Sequence, residues 1–210
     1  MNVRWVTVGA FQENSYLLSD DASRTGVLVD PGAEADRILA MVDAAGVRLE
    51  AIWLTHAHLD HIGAVQAIRG VHPVPVLLHP ADLPIYRRAS QQAAMYGLPF
   101  DQPGDPDGTL EDGQSLVLAG GDFRVIHTPG HAPGHVVFIG EGVMLGGDLL
   151  FAGSIGRTDL PLSDPARMEE SLAKVAAMDP ALVVYPGHGP PTTIGDELQT
   201  NPFLSEFHAA

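Results

Sequence analysis

Apolar positions change period several times along the chain, and the changes divide it into short extended runs and longer helical ones. Val3–Val8, Ser15–Ser19 and Thr25–Asp30 are brief and rich in β-branched or aromatic residues, which predicts three strands joined by tight turns. Ile38, Met41, Val42 and Ala45 fall at helical spacing within Glu34–Ala45, with Gly46 as a stop. Glu50–Leu54 returns to strand, Ile62–Arg69 reads as a helix ending at Gly70, and Val74–Leu78 reads as another buried strand. Ala81–Gly97 is helix-compatible with an interruption at Pro84, and the Pro-, Gly- and Asp-rich stretch Leu98–Gly108 reads as a loop.

Four further strands are expected at Ser115–Leu118, Phe123–His127, Val136–Ile139 and Val143–Leu145, with glycines between them. Asp164 followed by Pro165 predicts a capped helix whose buried stripe is Met168, Leu172 and Val175. Leu182–Tyr185 reads as a last core strand and Glu197–Leu204 as a closing helix. His208 falls in the tail, where its replacement is expected to be silent. Strands in blocks interleaved with helices predict sheets covered by helices, in one domain over residues 1–210.

Composition narrows the partners. Twenty-six acidic against eleven basic side chains leave a net charge of −15, so neither nucleic acid nor an anionic membrane is an expected partner. Without cysteine there is no disulfide framework, zinc ribbon or cysteine nucleophile. Met1–Phe11 holds an arginine and no long apolar run, and no stretch approaches the roughly 18 apolar residues of a membrane span. A cytoplasmic location is the expectation.

The ten histidines are spread unevenly. Thr55–Gly63 reads T-H-A-H-L-D-H-I-G and sets His56, His58, Asp60 and His61 directly after an apolar strand. Alternation along an extended chain sends His56 and His58 the same way, and Asp60 and His61 follow where the chain turns into a helix. Imidazoles with a carboxylate suit zinc, iron or manganese, and no soft ligand is present to select copper(I). A second junction of this kind, Val125–His135, reads V-I-H-T-P-G-H-A-P-G-H. His131 and His135 have the spacing of a helical zinc pair, but Pro133 and Gly134 between them argue against a helix. One direct ligand is expected here, His131, with His127 and His135 supporting or packing. Asp148, His188 and Asp30 each leave a strand as well, the first two through glycine. Acids or imidazoles at five strand ends point to one convergent site.

H-x-H-x-D-H at 56–61, followed by His131, Asp148 and His188, resembles the metallo-β-lactamase superfamily over nearly the whole span from Asp30 to His188. The resemblance implies an α/β (α+β) fold, a four-layer αββα sandwich with metal at one edge of its sheets. It implies His56, His58 and His131 for a first divalent ion, Asp60, His61 and His188 for a second, and Asp148 as the bridge. Asp30 matches the carboxylate that orients a ligand imidazole. N-S-Y-L-L at 14–18, H-T-P-G-H-A-P-G-H at 127–135, G-S-I-G-R-T-D-L-P at 153–161 and T-N-P-F-L at 200–204 are similar to the glyoxalase II (hydroxyacylglutathione hydrolase) branch, most narrowly its short single-domain bacterial members.

That branch implies a small-molecule thioester substrate, S-(2-hydroxyacyl)glutathione such as S-lactoylglutathione. The implied nucleophile is a hydroxide shared by two divalent ions, zinc first and iron or manganese as alternatives. Asp60 would steer the proton. Full-length members add a C-terminal helical domain whose basic residues help grip glutathione, and no counterpart is expected in this chain. A persulfide dioxygenase, with one iron on two histidines and an aspartate, retains much of the motif and is the rival reading. Other ester or lactone hydrolases of the superfamily are further alternatives.

Arg157, Arg87 and Arg88 are the bases nearest the motifs, and a glutathione carboxylate calls for one of them. Tyr96, Tyr86, Met95 and Phe151 belong either to an apolar wall or to the core, with at least two of them expected in the core. A-G-S-I-G at 152–156 is one residue from the G-x-S-x-G nucleophile elbow, but no helix is expected after it, so a serine hydrolase is not the expectation.

Overall fold

Two six-stranded sheets make up most of the computed structural model, in which residues 1–118 and 121–204 are described. The first sheet runs in chain order through β1 (Asn2–Val8), β2 (Glu13–Asp20), β3 (Thr25–Val29), β4 (Arg48–Trp53), β5 (Val76–Leu78) and β6 (Gly108–Thr109). Its first three strands form an antiparallel meander, and β3 to β6 pair in parallel. The second sheet contains β7 (Ser115–Leu118), β8 (Gly121–His127), β9 (Val136–Gly140) and β10 (Val143–Gly147). A hairpin of β11 (Leu150–Phe151) and β12 (Ser154–Ile155) follows, and β13 (Val183–Pro186) and β14 (Thr192–Thr193) return to complete the order β14-β13-β10-β9-β8-β7. The helices are α1 (Ala35–Ala45), α2 (Leu59–Ile62), α3 (Val65–Val71), α4 (Leu83–Tyr86), α5 (Ala89–Met95), α6 (Pro165–Ala176) and α7 (Ile194–Thr200).

Side-chain parity sorts these elements into layers. Leu17, Leu28 and Ile52 point to one face of the first sheet and pack on Ile38 and Val42 of α1 and on Val65 and Ile68 of α3. Their strand neighbours Tyr16, Leu18, Val27, Val29 and Trp53 point the other way, onto Phe123, Val125, Val136 and Phe138 of the second sheet. Val137, Met144 and Val184 face outward from that sheet onto Met168, Leu172 and Val175 of α6 and Ile194 of α7. Successive residues of a strand point to opposite faces, so three cores enforce four layers, helix-sheet-sheet-helix. Trp53 sits between Phe123 and Phe138 at ring separations of 5.7 and 5.3 Å, and burying each such side chain contributes about 1.5–3 kcal/mol.

The structure departs from the expected elements where local chemistry outranks periodicity. The helix expected over Ile62–Arg69 is two, α2 and α3, and Gly70 lies inside α3, which runs on until the His72 N–H closes its last turn on Ile68 O. Pro84 does not interrupt a helix. It occupies the first turn of α4, where its missing N–H costs nothing, and the break comes at Arg87–Arg88. The closing helix is α7, shifted earlier than Glu197–Leu204: Thr193 Oγ1 caps it by accepting from the Asp196 N–H, and Pro202 follows its end. The short strands β6, β11, β12 and β14 went unanticipated. His208 lies outside the described residues. No described helix is long and apolar enough to cross a membrane.

Strand direction delivers the site. β3 and β4 are parallel, and β8, β10 and β13 share one direction in the second sheet. Asp30, the 56–61 loop, His131, Asp148 and His188 therefore all follow carboxyl ends of strands. The sheets are tied at this edge: Val136 N–H donates to Thr55 O at 2.8 Å, Asn14 N–H to Gly187 O at 2.8 Å, and Tyr16 Oη to Pro186 O at 2.6 Å.

Candidate metal centre

Seven side chains converge at this edge. One donor atom each from His56, His58 and His131 lies within 4.8 Å of the others, and the same holds for Asp60, His61 and His188. Asp148 reaches both sets: Oδ1 stands 3.4 Å from His61 Nε2, while Oδ2 is 3.4 Å from His131 Nε2 and 3.5 Å from His188 Nε2.

The hydrogen bonds fix which nitrogen of most of these rings is turned toward the centre. Asp30 accepts from Thr55 N–H at 2.7 Å and from Thr55 Oγ1 at 2.6 Å, so that hydroxyl has no proton left for His56. His56 Nδ1–H must then donate to Thr55 Oγ1 at 3.1 Å, which leaves Nε2 as a lone-pair donor. His61 Nδ1–H donates to Asp30 Oδ2 at 3.1 Å, His131 Nδ1–H to Arg157 O at 2.8 Å, and His188 Nδ1–H to Gln12 O at 3.3 Å. Each presents Nε2 to the centre, while His58 presents Nδ1, 2.8 Å from His131 Nε2. Backbone carbonyls and carboxylates behind metal-ligating imidazoles set their tautomers in this way.

A divalent ion fits these residues. His56 Nε2, His61 Nε2 and Asp148 Oδ1 are buried polar atoms without a hydrogen-bond partner among the described residues, and all three face the centre. Unsatisfied buried polar atoms are costly, and nitrogens and carboxylate oxygens gathered at one point are what a cation satisfies. Burial, reinforced by neighbouring imidazoles, pulls His56 well down and His58 down to about 3, so both stay neutral. Burial would also lower His61 and His188, but Asp148 and Asp60 override it, lifting His61 well above its usual value and His188 to about 9, so a metal ion held at their Nε2 atoms would displace a proton from each. The surrounding imidazoles in turn overcome burial at Asp148 and Asp60 and hold both carboxyls low. Nitrogen and carboxylate donors of this kind suit zinc, iron or manganese.

Residues 8–188 match the family described as the metallo-beta-lactamase superfamily. The chain belongs to that superfamily. Hydroxyacylglutathione hydrolase GloC of Haemophilus influenzae is 36% identical over 210 residues, covering 98% of this chain and 99% of its own. TTHA1623, solved in a di-iron-bound form, aligns with TM-score 0.89 and 46% identity over 96% of this chain and 100% of that one. The BLEG-1 B3 metallo-beta-lactamase aligns with TM-score 0.91 and 36% identity over 97% and 100%. The protein is thus a metallo-hydrolase in its family and an αββα sandwich in its fold.

Above the metallo-β-lactamase-type centre opens a groove of about 410 Å³, with His58, Asp60, His131, Asp148 and His188 at its base. Arg157 and Tyr96, two of the residues named from sequence for substrate contact, line it. Arg87 does not: it forms a two-pronged ion pair with Asp105 away from the groove. Arg88 is exposed and also lies outside it. Of the four side chains divided between wall and core, only Tyr86 is core; Met95 and Tyr96 line the groove because α5 ends at its rim, and Phe151 lines it from β11. Ser154 of A-G-S-I-G is an exposed hairpin residue paired with Phe151, without the strand-turn-helix of an elbow.

His135 supports Asp148. Its Nε2 accepts the Asp148 N–H at 3.0 Å while Nδ1–H donates to Thr128 Oγ1 at 2.9 Å. His127 donates to Pro133 O at 2.9 Å and stays outside the centre. The sequence reasoning missed Asp82, which is fully buried and accepts from Ala57 N–H with one oxygen and Gly134 N–H with the other. It joins the two histidine-bearing loops. Its signal was available: like Asp30 and Asp148, it is an acid shortly after a strand end, here that of β5.

Proposed function

We propose that the protein hydrolyses thioesters with two divalent ions, one that His56, His58 and His131 would hold and another that Asp60, His61 and His188 would hold, with the Asp148 carboxylate in reach of both trios. The glyoxalase II likeness and the name of the GloC relative support S-(2-hydroxyacyl)glutathiones such as S-lactoylglutathione as substrates. Zinc is the first candidate for both positions, with iron or manganese as alternatives; the di-iron form of TTHA1623 speaks for iron. The observation that carries the reading is the set of buried donor atoms without hydrogen-bond partners around a carboxylate that faces both trios. When bound, such a metal pair lowers the pKa of water to near neutrality and polarises a carbonyl oxygen.

The chain's own residues do the rest. Asp30 and Thr55 lock the rings of His56 and His61, and the Arg157 carbonyl locks His131. Asp60 lies at the base of the groove with Oδ2 3.4 Å from His188 Nε2, placed to receive the proton released by the attacking water. A thiolate leaves readily because its parent thiol has a pKa of about 8.5, so no separate general acid is required.

The test is S-lactoylglutathione hydrolysis by purified protein of measured metal content, with an oxygen electrode in a parallel persulfide assay. Thioester cleavage by protein holding about two ions, without oxygen uptake, is the expected result. Oxygen uptake with a single iron would replace this reading with a persulfide dioxygenase.

A further inference from the structure

The groove walls say more about the substrate than the metal centre does. Phe11, Met95 and Tyr96 form one side of it and remain 38%, 85% and 60% exposed. Phe11 and Tyr96 meet edge to face at 5.5 Å, so the turn after β1 and the end of α5 build one apolar surface. Phe151 also lines the groove, edge-on to His188 at 5.8 Å. Exposed apolar side chains gathered beside a reactive centre are a binding surface for an apolar group.

Charge points the same way. Arg157 is the only lysine or arginine lining the groove among the described residues. Its Nε and Nη2 donate to the two carboxylate oxygens of Asp159 at 2.8 and 2.9 Å. An arriving carboxylate meets a pair whose charge is already neutralised, with the two-pronged Nε/Nη2 face of the guanidinium taken by Asp159. The chain's net charge of −15 adds a long-range field that disfavours anionic ligands. The thiol arm of a glutathione thioester carries two carboxylates, and among the described residues this groove offers them no lysine or arginine free of an acidic partner.

We infer that the groove favours thioesters whose thiol arm is uncharged and apolar, lying on Phe11, Met95 and Tyr96, over those whose arm bears carboxylates. Asp159 and Tyr96 are then specificity-determining residues, the one against anionic arms and the other for apolar ones. The inference rests on the thioester reading above and refines one arm of it.

The experiment holds the acyl group constant. The lactoyl thioesters of glutathione and of phenylmethanethiol are compared on the metal-loaded enzyme, with calorimetry on the matching non-hydrolysable thioethers as a readout without turnover. KM for the phenylmethyl thioester is expected to be lower by about tenfold, the order of discrimination an apolar pocket gives. Asp159→Asn should narrow that ratio by about threefold through the glutathione substrate, the modest shift an exposed ion pair allows. Tyr96→Ser should narrow it through the phenylmethyl substrate by about fivefold, as apolar contact is lost. Hydrolysis of both with glutathione favoured, or a ratio unmoved in both variants, overturns the inference and leaves the thioester reading standing. Hydrolysis of neither thioester overturns that reading and the inference with it.

Discussion

At the scale of single residues, the centre depends on protons placed several bonds away from it. Thr55 donates its only hydroxyl proton to Asp30, and that choice obliges His56 to turn Nε2 inward. Asp30 itself holds φ +49, a left-handed conformation uncommon outside glycine, and so aims one carboxylate at both Thr55 and His61. Asp148→Ala removes the one carboxylate that faces both trios, so metal content and thioesterase activity should fall together. A fully metallated, active variant, read by elemental analysis alongside turnover, would contradict a bridging role. The candidate ligands were legible in the sequence because H-x-H-x-D-H and the strand-end histidines announce themselves by residue type. Thr55 and Asp82 were not, because their partners are a neighbouring carboxylate and two backbone N–H groups brought together only by folding.

At the scale of elements, short loops leaving rigid strands are held to one another by buried bonds. Asp82→Asn leaves one acceptor where Ala57 and Gly134 each supply a donor, and strands an amide NH2 against a backbone N–H. Metal affinity of the three-histidine set should drop by about tenfold or more, measured by chelator competition, with circular dichroism unchanged; wild-type affinity would show that the clamp is dispensable. On the far side of the same loop His79 stacks on His127 at 4.2 Å, and burial with that neighbouring ring pulls His79 from 6.5 down to about 4. Between those values the unfolded chain binds a proton that the folded chain excludes, so this contribution to stability is present above pH 6.5 and is lost as the pH falls toward 4. His79→Phe should flatten the melting temperature against pH over that interval, and an unchanged slope would refute the assignment. Elements of four residues or more were largely readable from alternation. The two-residue strands β6, β11, β12 and β14 carry too few positions to show a period, and they exist because neighbouring strands offer them backbone partners.

At the scale of the whole molecule, strand parity creates three cores, and the cores fix two sheets whose carboxyl ends meet along one edge. The layered architecture followed from the family motifs, whereas the register that brings Asn14 and Tyr16 onto the Pro186–Gly189 turn is a tertiary fact with no local signal. Because the bare donors cost stability until a cation satisfies them, chelation should destabilise the fold. For metal at a hundredfold excess over Kd the loss is about 2.7 kcal/mol, or about 5–10 °C for a chain of this size, and unchanged melting after complete metal removal would contradict the coupling. The central claim is that two ions sit in one continuous set of seven side chains. Anomalous diffraction from crystals of the metal-loaded protein tests it directly. The account predicts two peaks, one among His56, His58 and His131 and one among Asp60, His61 and His188, with Asp148 touching both; a single peak, or metal bound elsewhere, would contradict it.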